Sequence, residues 1–236
     1  MRKKVSKLIS SDTTGTRVPT APARLLLAPA GAHQFADGNA PSPSTLCLAL
    51  TVQSGNLATM MMTREEYYFT SRSRLDPRYT GAPDKIKGAL WEIMSRAIQT
   101  ADVLKIDLGQ VFRSVYANEL DHFRNKEPLK TRLSHRVDEA RSALEALEAA
   151  VRTSPEPKTL AEVIVLKRAS MRVFSLVEPK KWGPEACFME LAKQTGELTD
   201  LIQKGSTPHQ IGDEIADVIN AIIRLADVYQ LALEER

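Results

Sequence analysis

Glu190, Gln194 and Glu197 lie at successive steps of four and three, and Glu214 and Asp217 lie three apart. On a helix, such spacings stack side chains along one edge. Asp217 sits within a nearly all-apolar segment, 215–229, flanked by Val218 and Ile219, with Asn220 and Arg224 on the following turns. A carboxylate in so apolar a surface must be paired or bound to a cation, because an unpaired buried charge costs several kcal/mol. Arg224 is one possible partner, a metal ion the other. If the two segments are helices packed antiparallel, Glu197 meets Glu214 and Asp217 across their interface. Three carboxylates converging without histidine or cysteine favour a hard cation, chiefly Mg²⁺. Acids three apart on a helix are also common on solvated faces, where Lys or Arg one turn away pairs with them.

The elements that must hold these residues announce themselves by their caps. In Trp182-Gly183-Pro184-Glu185, Gly183 suits an N-cap, Pro184 the first helical position and Glu185 the positive end of the dipole. That helix stops at Gly205. Thr207-Pro208-His209-Gln210 then supplies an N-cap, a first-position proline and a capping-box glutamine, and a final helix is expected from there almost to Arg236. Two long helices joined by a short turn pack antiparallel. Upstream, residues 84–104 carry one apolar stripe, Asp107 with Gln110 opens a second helix, and Thr159 with Glu162 opens another. Residues 134–152 place Val137, Ala140, Leu144, Leu147 and Val151 on a narrow coiled-coil-like seam, the pattern of a partner-helix contact. Ser154-Pro155-Glu156-Pro157 breaks the chain. No strand-like alternation follows residue 60, so the expected fold is all-α, an antiparallel helical bundle.

Composition narrows the function. Of 236 residues, 43% are apolar and 26% charged, an ordinary globular balance. The net charge of +3 is unevenly spread: six of 32 Lys/Arg but only two of 29 Asp/Glu fall in residues 1–60. The rest is close to neutral, so a basic stripe for nucleic acid is not expected. Cys47 and Cys187 are too few for a disulfide scaffold or a cysteine-type zinc site, and the four histidines form no ligand pair. No apolar run nears the roughly 20 residues needed to span a bilayer. A cytoplasmic protein is expected. Residues 1–60, with five prolines and no sustained period, read as a disordered leader: a targeting segment, a weak signal-peptide echo, or the product of a mis-assigned start upstream of Met60, Met61 or Met62.

Trp182-Gly183-Pro184-Glu185-Ala186, then Leu191 to Leu198 (LAKQTGEL), then Asp213-Glu214-Ile215-Ala216-Asp217-Val218, resemble the MazG-type all-α nucleotide pyrophosphohydrolases, nearest to the phage versions. The resemblance spans about residues 180–230. It implies a MazG-like bundle in which a Glu-x-x-Glu and a Glu-x-x-Asp hold Mg²⁺, and hydrolysis of nucleoside triphosphates to a monophosphate and pyrophosphate. It places Glu197, Glu214 and Asp217 as catalytic metal ligands. Gln194 falls where the first acid should be and can ligate through its carbonyl only, without charge. Lys193, Arg224, Asn220 and Trp182 become candidates for binding the substrate, Trp182 by stacking on a base. Each also has an ordinary structural role: a solvated lysine, an arginine paired with Asp217, a buried amide bonded to a neighbouring helix, a packed aromatic.

Ala101 to Gln110 is similar to the family's closing turn. Sliding 88–110 over 213–235 yields five identities: Ile98/Ile223, Ala101/Ala226, Asp102/Asp227, Val103/Val228 and Leu108/Leu233. In that register Ala89 replaces Glu214 and Glu92 matches Asp217. Residues 84–126 are then structural, either a degenerate repeat or a helical pair completing the bundle. The expected organisation is a leader over 1–60, a helical region over 61–153 that reads either as a degenerate MazG-like half or as purely structural helices, and a MazG-like metal-binding hairpin over 158–236. A homo-oligomer, dimer or tetramer, is expected. The competing function is a non-catalytic helical assembly or regulatory module that keeps the fold without activity.

Overall fold

The computed structural model describes residues 41–64, 81–125, 137–177 and 182–233. They form seven helices: α1 Pro43–Arg64, α2 Pro83–Leu104, α3 Leu108–Asn125, α4 Val137–Thr153, α5 Leu160–Val177, α6 Pro184–Gln203 and α7 Pro208–Val228. Among the described residues none of these is long and apolar enough to cross a membrane. The all-α bundle expected from the pattern is what the chain adopts.

Four helices make the frame. α1 packs on α2 and α6 on α7; α1 also lies against α6, and α2 against α7. Their inner faces share one core with the first half of α3 and with α5, including Leu50, Leu57, Ile86, Leu90, Phe112, Ile164, Leu191 and Ile219. Helices α3, α4 and α5 lie between the two hairpins in sequence. Where they extend beyond the frame, a second, smaller core holds Leu120, Phe123, Ala143, Leu147 and Val173. The seam on α4 is thus consumed inside the chain: Ala140 and Leu147 are buried, and α4 packs on α3 and α5.

The caps behave as the sequence predicts. Thr159 and Glu162 exchange bonds at the start of α5, and Asp107 Oδ1 accepts from the backbone of Gly109 and Gln110. Gly205, at φ 65°, closes α6 with bonds from Gly205 N to Ile202 O and from Ser206 N to Leu201 O, the paired arrangement of a Schellman turn.

Two expectations need correction. Residues 1–40 of the leader lie outside the described residues, but 43–60 belong to a helix with Leu46, Cys47, Leu50 and Leu57 buried. The core needs a second helix beside α2 and α6, and α1 supplies it. The final helix ends at Val228, well before Arg236. Gln230 takes φ 56° and the chain turns, burying Leu231 and Leu233 against the bundle.

That turn has a twin. Lys105 also has φ 56°, and these two are the non-glycine residues with positive φ among those described. Ile106 N bonds Ala101 O at 2.9 Å, and Leu231 N bonds Ala226 O at 2.8 Å. Lys105 N bonds Asp102 O and Gln230 N bonds Asp227 O, both at 3.1 Å. The register relating 88–110 to 213–235 therefore holds through the helix ends, and it begins at Pro83 and Pro208, each opening its helix. The partner helices match as well. Gln53-Ser54-Gly55-Asn56-Leu57 on α1 aligns with Gln194-Thr195-Gly196-Glu197-Leu198 on α6, with Pro43 against Pro184 and Leu50 against Leu191. Leu48 and Met189, equivalent in this register, are each 66% exposed. The frame is two versions of one hairpin.

Candidate functional site

Gly183, extended at φ −80° and ψ 171°, and Pro184 start α6; Thr207 and Gln210 form both bonds of a capping box at the start of α7. These caps and the Gly205 turn fix the register of the hairpin, and with it the facing edges that carry the acids.

On α6, Gln194 is 9% exposed and donates Nε2–H to Glu190 Oε1 at 2.9 Å. A carboxylate only accepts, so the amide must turn its nitrogen to Glu190, which leaves Oε1 facing away. Among the described residues that buried oxygen has no hydrogen-bond partner, and neither has Glu214 Oε1 on α7. Burial, with Asp217, Glu197 and Glu190 as like charges nearby, pushes the Glu214 carboxyl up to about 7, against a pull from Lys193. Burial also raises Asp217, opposed by Lys167 and reinforced by Glu119, Asp213 and Glu190. Asp217, Glu197 and Glu190 thus lie within electrostatic reach of Glu214, Glu190 within reach of Asp217, and Gln194 against Glu190.

The structure departs from expectation at several of these positions. Asp217 is exposed by surface area, while Ile215, Ala216, Val218 and Ile219 around it are buried. Its carboxylate occupies the open edge of a locally apolar stretch of α7, crowded enough to be raised yet reachable by solvent. Its cationic neighbour is Lys167 from α5, while the Arg224 guanidinium lies over the Trp182 ring, 4.5 Å from the centroid. Asn220 is buried and accepts a hydrogen bond from Tyr116 OH at 3.0 Å, so its oxygen ties α7 to α3. Lys193 pairs with Glu197 across one turn at 3.5 Å, both exposed. Among the described residues no three His, Cys, Asp or Glu side chains gather closely enough to hold a metal ion by themselves.

Beside the acids opens a pocket of about 360 Å³, walled by Met171, Phe174, Trp182, Arg224 and Val228, with Glu190 on its edge. Trp182 is 39% exposed. The volume falls within the usual range for small-molecule sites, and its walls are mainly apolar.

Spacing on α6 and α7 does not disclose Glu119, Lys167, Tyr116 or Ser170. Lys167 Nζ lies 3.6 Å from Glu119 Oε1, and Ser170 Oγ donates to Glu119 Oε2. A signal exists in α5, where Lys167 and Ser170 occupy the buried register of Leu160, Val163, Ile164 and Val173. A lysine inside an apolar stripe marks a partner on another element. No family model, curated protein or solved structure matches the chain.

Proposed function

We propose that the chain is a Mg²⁺-dependent pyrophosphohydrolase that converts nucleoside triphosphates to a monophosphate and pyrophosphate. The observation that carries this reading is the pair of buried, unpartnered oxygens, Gln194 Oε1 and Glu214 Oε1, on adjoining helices inside a cluster of acids. Buried acceptors are ordinarily satisfied, and acceptors left without donors among carboxylates suit a hard cation. Gln194, Glu197, Glu214 and Asp217 would hold it on drawing together around the ion, since among the described residues no three acids gather closely enough by themselves. The ion would supply neutralisation of phosphate charge and a polarised water.

The rest falls to the chain's own groups. Glu190 holds the Gln194 amide with its oxygen turned inward. Trp182, Phe174 and Met171 offer apolar walls to a base, with the Arg224 guanidinium fixed over the indole at the same pocket. Lys193, held by Glu197 at the exposed edge, supplies positive charge on the side where phosphates would enter. Two buried free cysteines suit a reducing cytoplasm, and a homo-oligomer remains part of the proposal.

A second reading is a helical assembly or regulatory module without activity. It is favoured by the engagement of Glu197 with Lys193 and by an amide where the resemblance calls for an acid. The two readings part in one assay, pyrophosphate release from a panel of ribo- and deoxyribonucleoside triphosphates with Mg²⁺ or EDTA. Release that requires Mg²⁺ and falls at least about a hundredfold in Asp217→Asn, with helix content unchanged by circular dichroism, supports the enzyme. No release from any triphosphate selects the second reading; undiminished release by Asp217→Asn keeps the activity but overturns the metal-site assignment.

A further inference from the structure

The walls of the pocket beside the acids differ in what they offer a ligand. Trp182 and Arg224 carry only N–H donors, Ser175 and Glu190 supply the acceptors, and the remaining walls are apolar. Ser175 Oγ spends its proton on Arg172 O at 2.8 Å, which leaves its lone pairs. Glu190 Oε1 is engaged by Gln194 Nε2–H at 2.9 Å, which leaves Oε2. An N–H brought in by a ligand therefore has one charged acceptor in this pocket, the Glu190 carboxylate, and charge-assisted hydrogen bonds are the strong ones.

Gln194 itself does not require that carboxylate. In the first hairpin Gln53 holds the equivalent place, Ala49 stands where Glu190 does, and Gln53 Oε1 accepts from Asn56 Nδ2 at 3.3 Å. The helix pair thus forms without an acid at that position. Trp182 and Arg224 are likewise replaced there, by Pro41 and Gln99. The aromatic, the guanidinium 4.5 Å above it and the acid at the pocket's edge are present together in the second hairpin and missing together from the first.

Nucleobases differ at the edge such an acceptor meets. Cytosine, adenine and guanine carry an exocyclic amino group, whereas uracil and thymine present carbonyl oxygens, which a carboxylate repels. We propose that Glu190 is the specificity-determining residue of this pocket, accepting a hydrogen bond from the amino group of a base lodged against Trp182 and so selecting amino-bearing bases over uracil and thymine. That the ligand is a base rests on the pyrophosphohydrolase reading. The same carboxylate holds Gln194, so the base pocket and the acidic cluster share one side chain as their common wall.

Calorimetric titration in EDTA with cytidine and uridine monophosphate, which differ in an amino group against a carbonyl, tests the assignment without any need for turnover. Wild-type protein should bind the cytidine nucleotide at least about tenfold more tightly. In Glu190→Gln the amide oxygen can keep the bond to Gln194, which sets an NH₂ group where Oε2 stood, and the preference should vanish or pass to uridine. Glu190→Ala, a residue the first hairpin carries at this place, should bind both alike, and Trp182→Ala should weaken both alike. Equal affinities in the wild type, no heat from either nucleotide at millimolar concentration, an undiminished cytidine preference in Glu190→Gln, or binding untouched by Trp182→Ala each overturn the proposal.

Pyrophosphate release, measured separately, keeps the two readings apart. A cytidine preference that depends on Glu190, in a protein that hydrolyses no triphosphate, defeats the pyrophosphohydrolase and leaves the role of Glu190 standing. Mg²⁺-dependent hydrolysis in a protein that binds both monophosphates equally defeats only the role of Glu190.

Discussion

Glu214 contributes to how the metal-free protein responds to pH. Its carboxyl titrates near 4.5 in a solvated chain and at about 7 in the folded protein. The folded state therefore binds that proton more tightly. The stabilisation it provides is complete below 4.5 and is lost as the pH rises through about 7. Asp217 is raised too and contributes in the same direction. Because Glu214 is only half-buried, solvent screening reduces its share to about 1–2 kcal/mol. In EDTA the melting temperature should fall between about pH 5 and pH 8, and Glu214→Gln should flatten that slope; a variant with the wild-type slope would show that another group is responsible. Gln194→Glu should act oppositely with and without metal. The change removes the donor to Glu190 and sets two carboxylates 2.9 Å apart or forces them to separate, destabilising the metal-free fold by about 1–2 kcal/mol. A fourth acid should also tighten Mg²⁺ binding by about tenfold. The signature is a melting temperature below wild type in EDTA and above it in millimolar Mg²⁺; equal small shifts in both would argue for the non-catalytic reading.

α1 illustrates what an element owes to its surroundings. Leu50 and Leu57 are fully buried in the main core, so Leu50→Ala should remove about 2–5 kcal/mol, read as a lower urea midpoint. A chain begun at Met60 lacks most of α1 and should aggregate or melt far earlier, because the apolar faces of α2 and α6 lose their cover; wild-type stability in that truncation would refute the role given to α1. This helix was not legible beforehand. Its buried positions are interleaved with exposed Leu48 and Val52 and with Ser, Thr and Gly, so no apolar stripe stands out against a polar one. The starts of α5, α6 and α7 were legible because capping is local: Thr159, Gly183 with Pro184, and Thr207 with Pro208 and Gln210 each act within one turn. The end of α7 was not. A glycine usually marks a left-handed stop, whereas here Gln230 adopts it, held by the docking of Leu231 and Leu233.

Across the whole molecule, two copies of a hairpin divide the labour. The second carries Glu190, Glu197, Asp213, Glu214 and Asp217; the first has Ala49, Asn56, Gly88, Ala89 and Glu92 in those places. The acidic edges could be read from sequence because each pair lies on one helix, where spacing determines direction. The Lys167–Glu119 pair could not, since it joins α5 to α3, and only tertiary packing sets it beside α7. The repeat was faint for a related reason: its identities are few, while its burial pattern and turn geometry coincide. The inequality of the two cores has a further consequence. α4 rests on the smaller one and reaches the main core only through Ala150 and Val151 near its C-terminal end, whereas α7 lies against α2, α3, α5 and α6. Local opening follows contact density, so backbone amides should not all be shielded alike. In deuterium-exchange mass spectrometry, peptides from the first turns of α4 should take up label well before those from its last turns, and the middle of α7 should be the slowest segment to exchange.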